Sequence, residues 1–203
     1  MASRAALAGI DRILSASTDP HSWDRVALCR RHGPVAFGVH PWFAEAGIEG
    51  LEGRLPQADA VGEIGLDALR GSMEVQLPVL RAQLELAAEA DLPVVLHCVR
   101  AWHLLLPELR RVPVRGLVHG YSGGPHLVKE LLDLGLHLSL GRAVLKPGQR
   151  LIQALERIPS SRLLVESDAP DQLREPAEAA QVVERLRGLG HEPGSQLFSQ
   201  SSV

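Results

Sequence analysis

Four side chains capable of metal chemistry stand in or at the end of apolar runs. Glu63 lies in Ala60-Val-Gly-Glu-Ile-Gly-Leu66, between Gly62 and Gly65. His97 ends Pro93-Val-Val-Leu-His97, His119 ends Gly116-Leu-Val-His119, and Asp168 ends Leu163-Leu-Val-Glu-Ser-Asp168. A carboxylate inside an apolar strand is costly unless a cation or a donor meets it. Taken singly, each residue has a plainer reading. Glu63 could be a salt-bridged acid, His97 and His119 core histidines, and Asp168 a strand-end cap. Each at its own apolar run, together they favour a metal site. Asp168 also suits a general base. Glu166 shares its face in an ideal strand, or pairs with an arginine. His40, in Gly38-Val-His-Pro-Trp42, ends a further strand and reads as a substrate contact or a support for the ligands rather than as a ligand itself. His21, His32, His103, His126, His137 and His191 fall on helices, turns or strand starts, where surface or packing roles are the stronger reading. Cys98 reads as a buried, inert thiol.

The elements needed to position these residues alternate along the chain. Strand patterns cover Arg12–Ser17, Val35–His40, the Glu63 run, Leu92–His97, Gly116–Tyr121, Leu136–Leu140 and Leu163–Asp168. Helical patterns follow them at Trp23–His32, in a loop and short helix over 47–57, and at Met73–Asp91, Trp102–Arg111, Pro125–Leu134, Gln149–Ile158 and Pro176–Leu189. The helix from Met73 presents Leu77, Leu80, Leu84, Ala87 and Ala88 as one apolar face. Strand and helix in strict alternation imply a parallel sheet with crossover helices. About seven strands approach a barrel of eight, whose C-terminal strand ends gather the site. An open doubly wound sheet is the competitor, but no Gly-x-Gly-x-x-Gly loop follows the first strand.

Composition sets the frame. The chain has 203 residues, is 45% hydrophobic and carries a net charge of −3. That suits one domain spanning 1–203 with a sizeable core, and a loose tail over 190–203. It shows no broad electrostatic footprint for nucleic acid, which leaves room for a local phosphate site. Two cysteines, Cys29 and Cys98, suggest no disulfide framework. No apolar run is long enough for a membrane span, and no secretory leader is legible, so a cytoplasmic location is expected.

Six segments in order carry a resemblance. They are Gly38-Val-His-Pro-Trp42, Gly62-Glu-Ile-Gly-Leu-Asp67, Gln83-Leu-Glu-Leu-Ala87, Leu92-Pro-Val-Val-Leu-His-Cys98, His119-Gly-Tyr-Ser-Gly123 and Glu166-Ser-Asp-Ala-Pro170. The sequence resembles the TatD family of metal-dependent deoxyribonucleases, among the amidohydrolase-like barrels, from about Ala5 to Leu197. The resemblance implies a distorted TIM barrel and metal-dependent hydrolysis of phosphodiester bonds, typically from DNA ends. It implies that Glu63 bridges two metals, that His97 and His119 hold one, and that Asp168 holds the other and serves as general base. His40, Arg100, Tyr121 and Ser122 would lie near the substrate phosphate. The cation would be Mg, Mn or Zn.

Two differences from the family pattern stand out. The family opens with a strand carrying Asp-x-His-x-His, and this sequence has none, so a barrel incomplete at its N-terminal strand is expected. The family's His-Cys-Arg is here His97-Cys98-Val99-Arg100. One firmly held metal rather than two, and weak or absent activity, follow as expectations. Two other functions stay open: a different amidohydrolase-type hydrolase on the same barrel, or a catalytically impaired scaffold or nucleic-acid binder. Replacing Glu63 by Gln is expected to reduce metal occupancy, measured as bound metal per chain. Unchanged stoichiometry would remove Glu63 from the ligand set.

Overall fold

The computed structural model describes residues 2–10 and 12–194. In chain order the elements are α1 (Ala2–Leu7), β1 (Ser15–Ala16), α2 (Trp23–Ala27), β2 (Val35–Phe37), β3 (Ala60–Asp67), α3 (Met73–Glu89), β4 (Val94–Val99), α4 (Trp102–Arg111), β5 (Gly116–Val118), α5 (Pro125–Asp133), β6 (Leu136–Leu140), α6 (Gln149–Leu155), β7 (Leu163–Val165) and α7 (Ala179–Gly188). Short 3₁₀ turns fill several connections. The chain divides into two compact units: Leu14–Val118, and His119–Val203 together with Met1–Ile13.

In the unit Leu14–Val118, β1 to β5 form a parallel sheet in sequence order. β3 is buried along nearly its whole length, as a strand covered on both faces must be, which is why its sequence runs apolar without alternation. The ladder between β3 and β4 breaks once. Gly62 faces Val95 and Ile64 faces Leu96, so Glu63 is one extra residue with no partner in β4. Such a bulge turns a side chain out of the regular alternation. The Glu63 N–H donates instead to the carbonyl of Ser17, at the end of β1 (2.9 Å).

Helix α3 begins at Ser72, whose hydroxyl accepts the Glu74 N–H (3.1 Å). Its buried face is Gln76, Leu80, Gln83, Leu84 and Ala87, spaced to fall on one stripe. The apolar face read from the sequence is therefore rotated. Leu77 is only half-buried and Ala88 is exposed, while two glutamines point inward. α3 packs on β3 and on the 3₁₀ turn Pro41–Ala46. A chain of ion pairs around the buried Glu108 ties α3 to α4, from Arg81 to Glu108 (2.6 Å) and from Arg111 to Glu108 (3.0 Å) and Glu85 (2.8 Å).

In the other unit, β6 and β7 pair in parallel, Leu138 facing Leu163 and Leu140 facing Val165. α5 packs on α6, and α7 on the turn Arg142–Leu145 and on β7. α1 lies against the turn Pro176–Glu178, where Arg4 Nε donates to Glu175 (2.7 Å). The strand expected to reach Asp168 ends at Val165, and Asp168 has a left-handed φ of 46°. The ideal alternation that would align Glu166 with Asp168 therefore does not hold. The strand expected over Arg12–Ser17 is only Ser15–Ala16, and that expected to reach His40 stops at Phe37. Of the expected loose tail, residues 195–203 lie outside the described residues. Among the described residues, no helix is long and apolar enough to cross a membrane.

Gly65 has φ 146°, and a Cβ there would sit 1.9 Å from the carbonyl oxygen of His97. The close approach of β3 to β4 beside His97 thus depends on a missing side chain. Gly65→Ala is expected to cost at least about 3 kcal/mol, through backbone strain plus displacement of β4. Thermal unfolding would read this as a fall in Tm of roughly 10 °C. A Tm within two degrees of wild type would contradict the close packing.

Candidate metal centre

Glu63 leaves the bulge of β3 with its side chain largely buried. Across the ladder, β4 places His97 opposite Gly65. His40 follows β2 and opens the turn Pro41–Ala46. One ligand-type atom from each of His40, Glu63 and His97 lies within 4.8 Å of the others. Two imidazoles and a carboxylate form a donor set that suits a divalent cation.

The hydrogen bonds sort these groups by role. The Trp42 N–H donates to His40 Nδ1 (3.2 Å). That nitrogen therefore carries a lone pair, and the proton of the neutral ring sits on Nε2, 3.7 Å from Glu63 Oε2. In this arrangement His40 is a donor aimed at the carboxylate or at a substrate oxygen. His97 Nε2 lies 3.4 Å from Asp67 Oδ2. Donation from that nitrogen would orient the ring in the carboxylate–histidine arrangement common around metals. The rings of His40 and His97 meet edge to face with centroids 4.4 Å apart.

Asp67, at the end of β3, was not among the residues singled out from the sequence. Burial works against its charge, but donors from Trp42 Nε1 (2.6 Å), the Leu69 N–H (2.8 Å) and His97 outweigh it. They hold the carboxyl below its ordinary range.

Two glutamines of α3 fix the backbone around this cluster. Gln83 accepts the Val39 N–H (2.7 Å) and donates to the Val39 carbonyl (3.1 Å). Gln76 does the same to Asp67, at 2.8 and 3.1 Å. Each side-chain amide replaces the missing neighbour of one strand-end peptide. Both are fully buried, where an unpaired amide would be costly. Ser17, also buried, accepts the Gly38 N–H (2.8 Å) and returns its proton to the Gly38 carbonyl (3.0 Å).

In the other unit, His119 Nδ1 lies 3.9 Å from Glu166 Oε1. Burial opposes the charge of Glu166, yet His119, Ser139 and the Gly120 backbone together lower its pKa. For Asp168 the balance goes the other way, and burial raises its carboxyl above the usual value. Gln172 Nε2 donates to Asp168 Oδ2 (2.8 Å). Tyr121 is buried, and its hydroxyl donates to the Gly124 carbonyl (2.7 Å), so it shapes the Gly123-Gly124 turn. Ser122 and Arg100 are exposed, Arg100 with a left-handed φ of 53°. Cys98 is buried, and its thiol is pushed up to about 12, chiefly by burial, so it stays protonated.

Gln83→Leu would leave the Val39 N–H and carbonyl unpaired. The expected cost is about 2–4 kcal/mol in urea unfolding, with metal affinity weakened about tenfold or more in calorimetric titration. Lost stability with unchanged affinity would confine Gln83 to packing.

Comparison with known proteins places the chain. The family model described as TatD related DNase matches residues 1–197. The uncharacterized metal-dependent hydrolase YjjV of Escherichia coli K12 is 34% identical, over 96% of this chain and 84% of that protein. A protein of Citrobacter rodentium named 3'-5' ssDNA/RNA exonuclease TatD is 30% identical, over 98% of this chain and 87% of its own length. The crystal structure of E. coli YjjV superposes with a TM-score of 0.85 at 32% identity, covering 92% of this chain and 82% of that one. The fold is accordingly α/β and TIM-barrel-like. With family, fold and ligand-type residues in agreement, the chain belongs to the TatD-related DNases and is a metal-dependent hydrolase.

Proposed function

We propose that the chain hydrolyses phosphodiester bonds at the ends of DNA strands. The observation that carries this is the bulge that turns Glu63 toward His97 and His40, an acid and two imidazoles converging on one point. Membership of the family and the exonuclease name of relatives supply the substrate class. The carried-over motifs add His119 and Asp168 to Glu63 and His97 as ligands. A divalent cation held there, Mg, Mn or Zn, would supply Lewis acidity toward the phosphate and toward water.

The chain's own groups do the rest. Asp168 takes the proton of the attacking water. Its raised carboxyl suits a base working closer to neutrality, and Gln172 holds one oxygen so that the other is free to accept. His40 Nε2–H donates to an oxygen of the phosphate or to Glu63. Water oxygen bonds to phosphorus, the ester P–O bond breaks, and the departing oxygen is protonated from solvent. In this reading Tyr121 supports the turn Ser122 stands on.

The test is nucleotide release from end-labelled single-stranded DNA with added Mg, Mn or Zn, against a chelator. Wild type is expected to release nucleotides only with metal, and Asp168→Asn to lose at least about 100-fold of that rate. Release that persists in Asp168→Asn, or in chelator, would overturn the assignment. So would wild type that releases nothing with every metal.

A further inference from the structure

We propose that Arg70 is a phosphate-binding residue that holds the substrate strand beside the metal centre. This rests on the nucleic-acid reading above and adds a residue to it. The sequence suggested Arg100 for a phosphate, but the structure draws attention to a different arginine. Arg70 lies in the loop after Asp67, with its guanidinium carbon 3.8 Å from the centroid of the Trp42 ring. Its carbonyl accepts from Gln76 Nε2, so the loop is tied to α3 as well.

Trp42 is itself held in place. Its Nε1–H donates to Asp67 (2.6 Å), and its ring meets His40 at 4.9 Å and His97 at 6.2 Å between centroids. Arg70 is thus one aromatic ring away from both histidines. Trp42 remains 40% exposed, so the stacked pair faces solvent.

Arg4, Arg30, Arg54, Arg81, Arg111 and Arg115 each pair with a carboxylate. Among the described residues, Arg70 has no such partner. A guanidinium that rests over an aromatic ring can keep edge N–H groups for an anion, and its fork matches two phosphate oxygens. Glu63 and Asp67 stand beside these two histidines, in a chain of net charge −3. A polyanion approaching them needs a fixed cation at the rim. An arginine held on an aromatic ring supplies that cation without much further loss of side-chain freedom.

The test is the salt dependence of binding to a fluorescent phosphorothioate oligothymidylate, which keeps its charges and resists cleavage. For wild type, log Kd is plotted against log salt. Arg70→Ala is expected to bind about tenfold more weakly at low salt. Its slope should be smaller by about 0.7, the value of one phosphate contact on a single strand. Arg70→Lys keeps the charge and the slope. Arg25→Ala, on α2, makes the same change in net charge and should leave both unchanged. In the cleavage assay, Arg70→Ala should raise KM with kcat near wild type. Wild-type slope and Kd in Arg70→Ala would overturn the proposal while leaving the nuclease reading intact. A reduced slope in a protein that releases no nucleotides would uphold Arg70 and overturn only the nuclease reading. Wild type that does not bind the strand would overturn both.

Discussion

The extra residue at Glu63 is the constraint on which the site depends. A regular parallel ladder would alternate every side chain of β3 between two buried faces. Neither face can house a carboxylate without a partner. The break between Gly62 and Ile64 frees Glu63 from that alternation. Its N–H is not orphaned, because Ser17 accepts it from the end of β1. Ser17 in turn bridges to the backbone of Gly38 at the end of β2. Three strand ends are therefore locked by one small hydroxyl and one irregular residue. The flanking glycines permit it, since a Cβ on Gly62 would lie 2.5 Å from that of Val95.

Helix α3 extends the same logic to the neighbouring strands. Val39 lies beyond the end of β2, and Asp67 is the last residue of β3, paired with Val99 of β4 on one side. Gln83 and Gln76 bind their peptides, each with both a donor and an acceptor. Seven residues apart, they lie two turns along one stripe of the helix. A single rigid element thus positions the residue before His40 and the carboxylate that holds His97. Flexible loops are poorly suited to this task, because placement errors of about an ångström cost a metal site much of its affinity or rate.

The legible part of this protein was the part that obeys simple periodicity. The apolar runs before His97, His119 and Asp168 announced the strands, and the glycines around Glu63 the close approaches, although β4 continues to Val99 and β7 stops at Val165. The alternation of elements, with the six ordered motifs, was enough to reach the fold and the family. What escaped was polar and inward-facing. Gln76 and Gln83 sit on the buried stripe of α3, where a hydrophobicity pattern assigns them to solvent. Asp67 closed the Gly-Leu-Asp segment in full view, but its role depends on Trp42 and His97, which are distant in sequence and adjacent only across the sheet. Arg70 had no signal at all, because an arginine in a loop is ordinary until an aromatic ring is found beneath it.

Asp67 joins these parts. Burial alone would favour its neutral form, yet three donors keep it charged. Two of them belong to the functional surface: the indole of Trp42 and the imidazole of His97. A charged Asp67 favours the proton of His97 on Nε2, the nitrogen that faces it. The same carboxylate fixes the plane of Trp42, and with it the plate on which Arg70 rests. The tautomer of a candidate metal ligand and the position of a rim cation are thus governed by one buried group. That group is held through its own backbone by Gln76. Neutralising Asp67 would disturb both ends together, which neither substitution at His97 nor one at Arg70 could do alone.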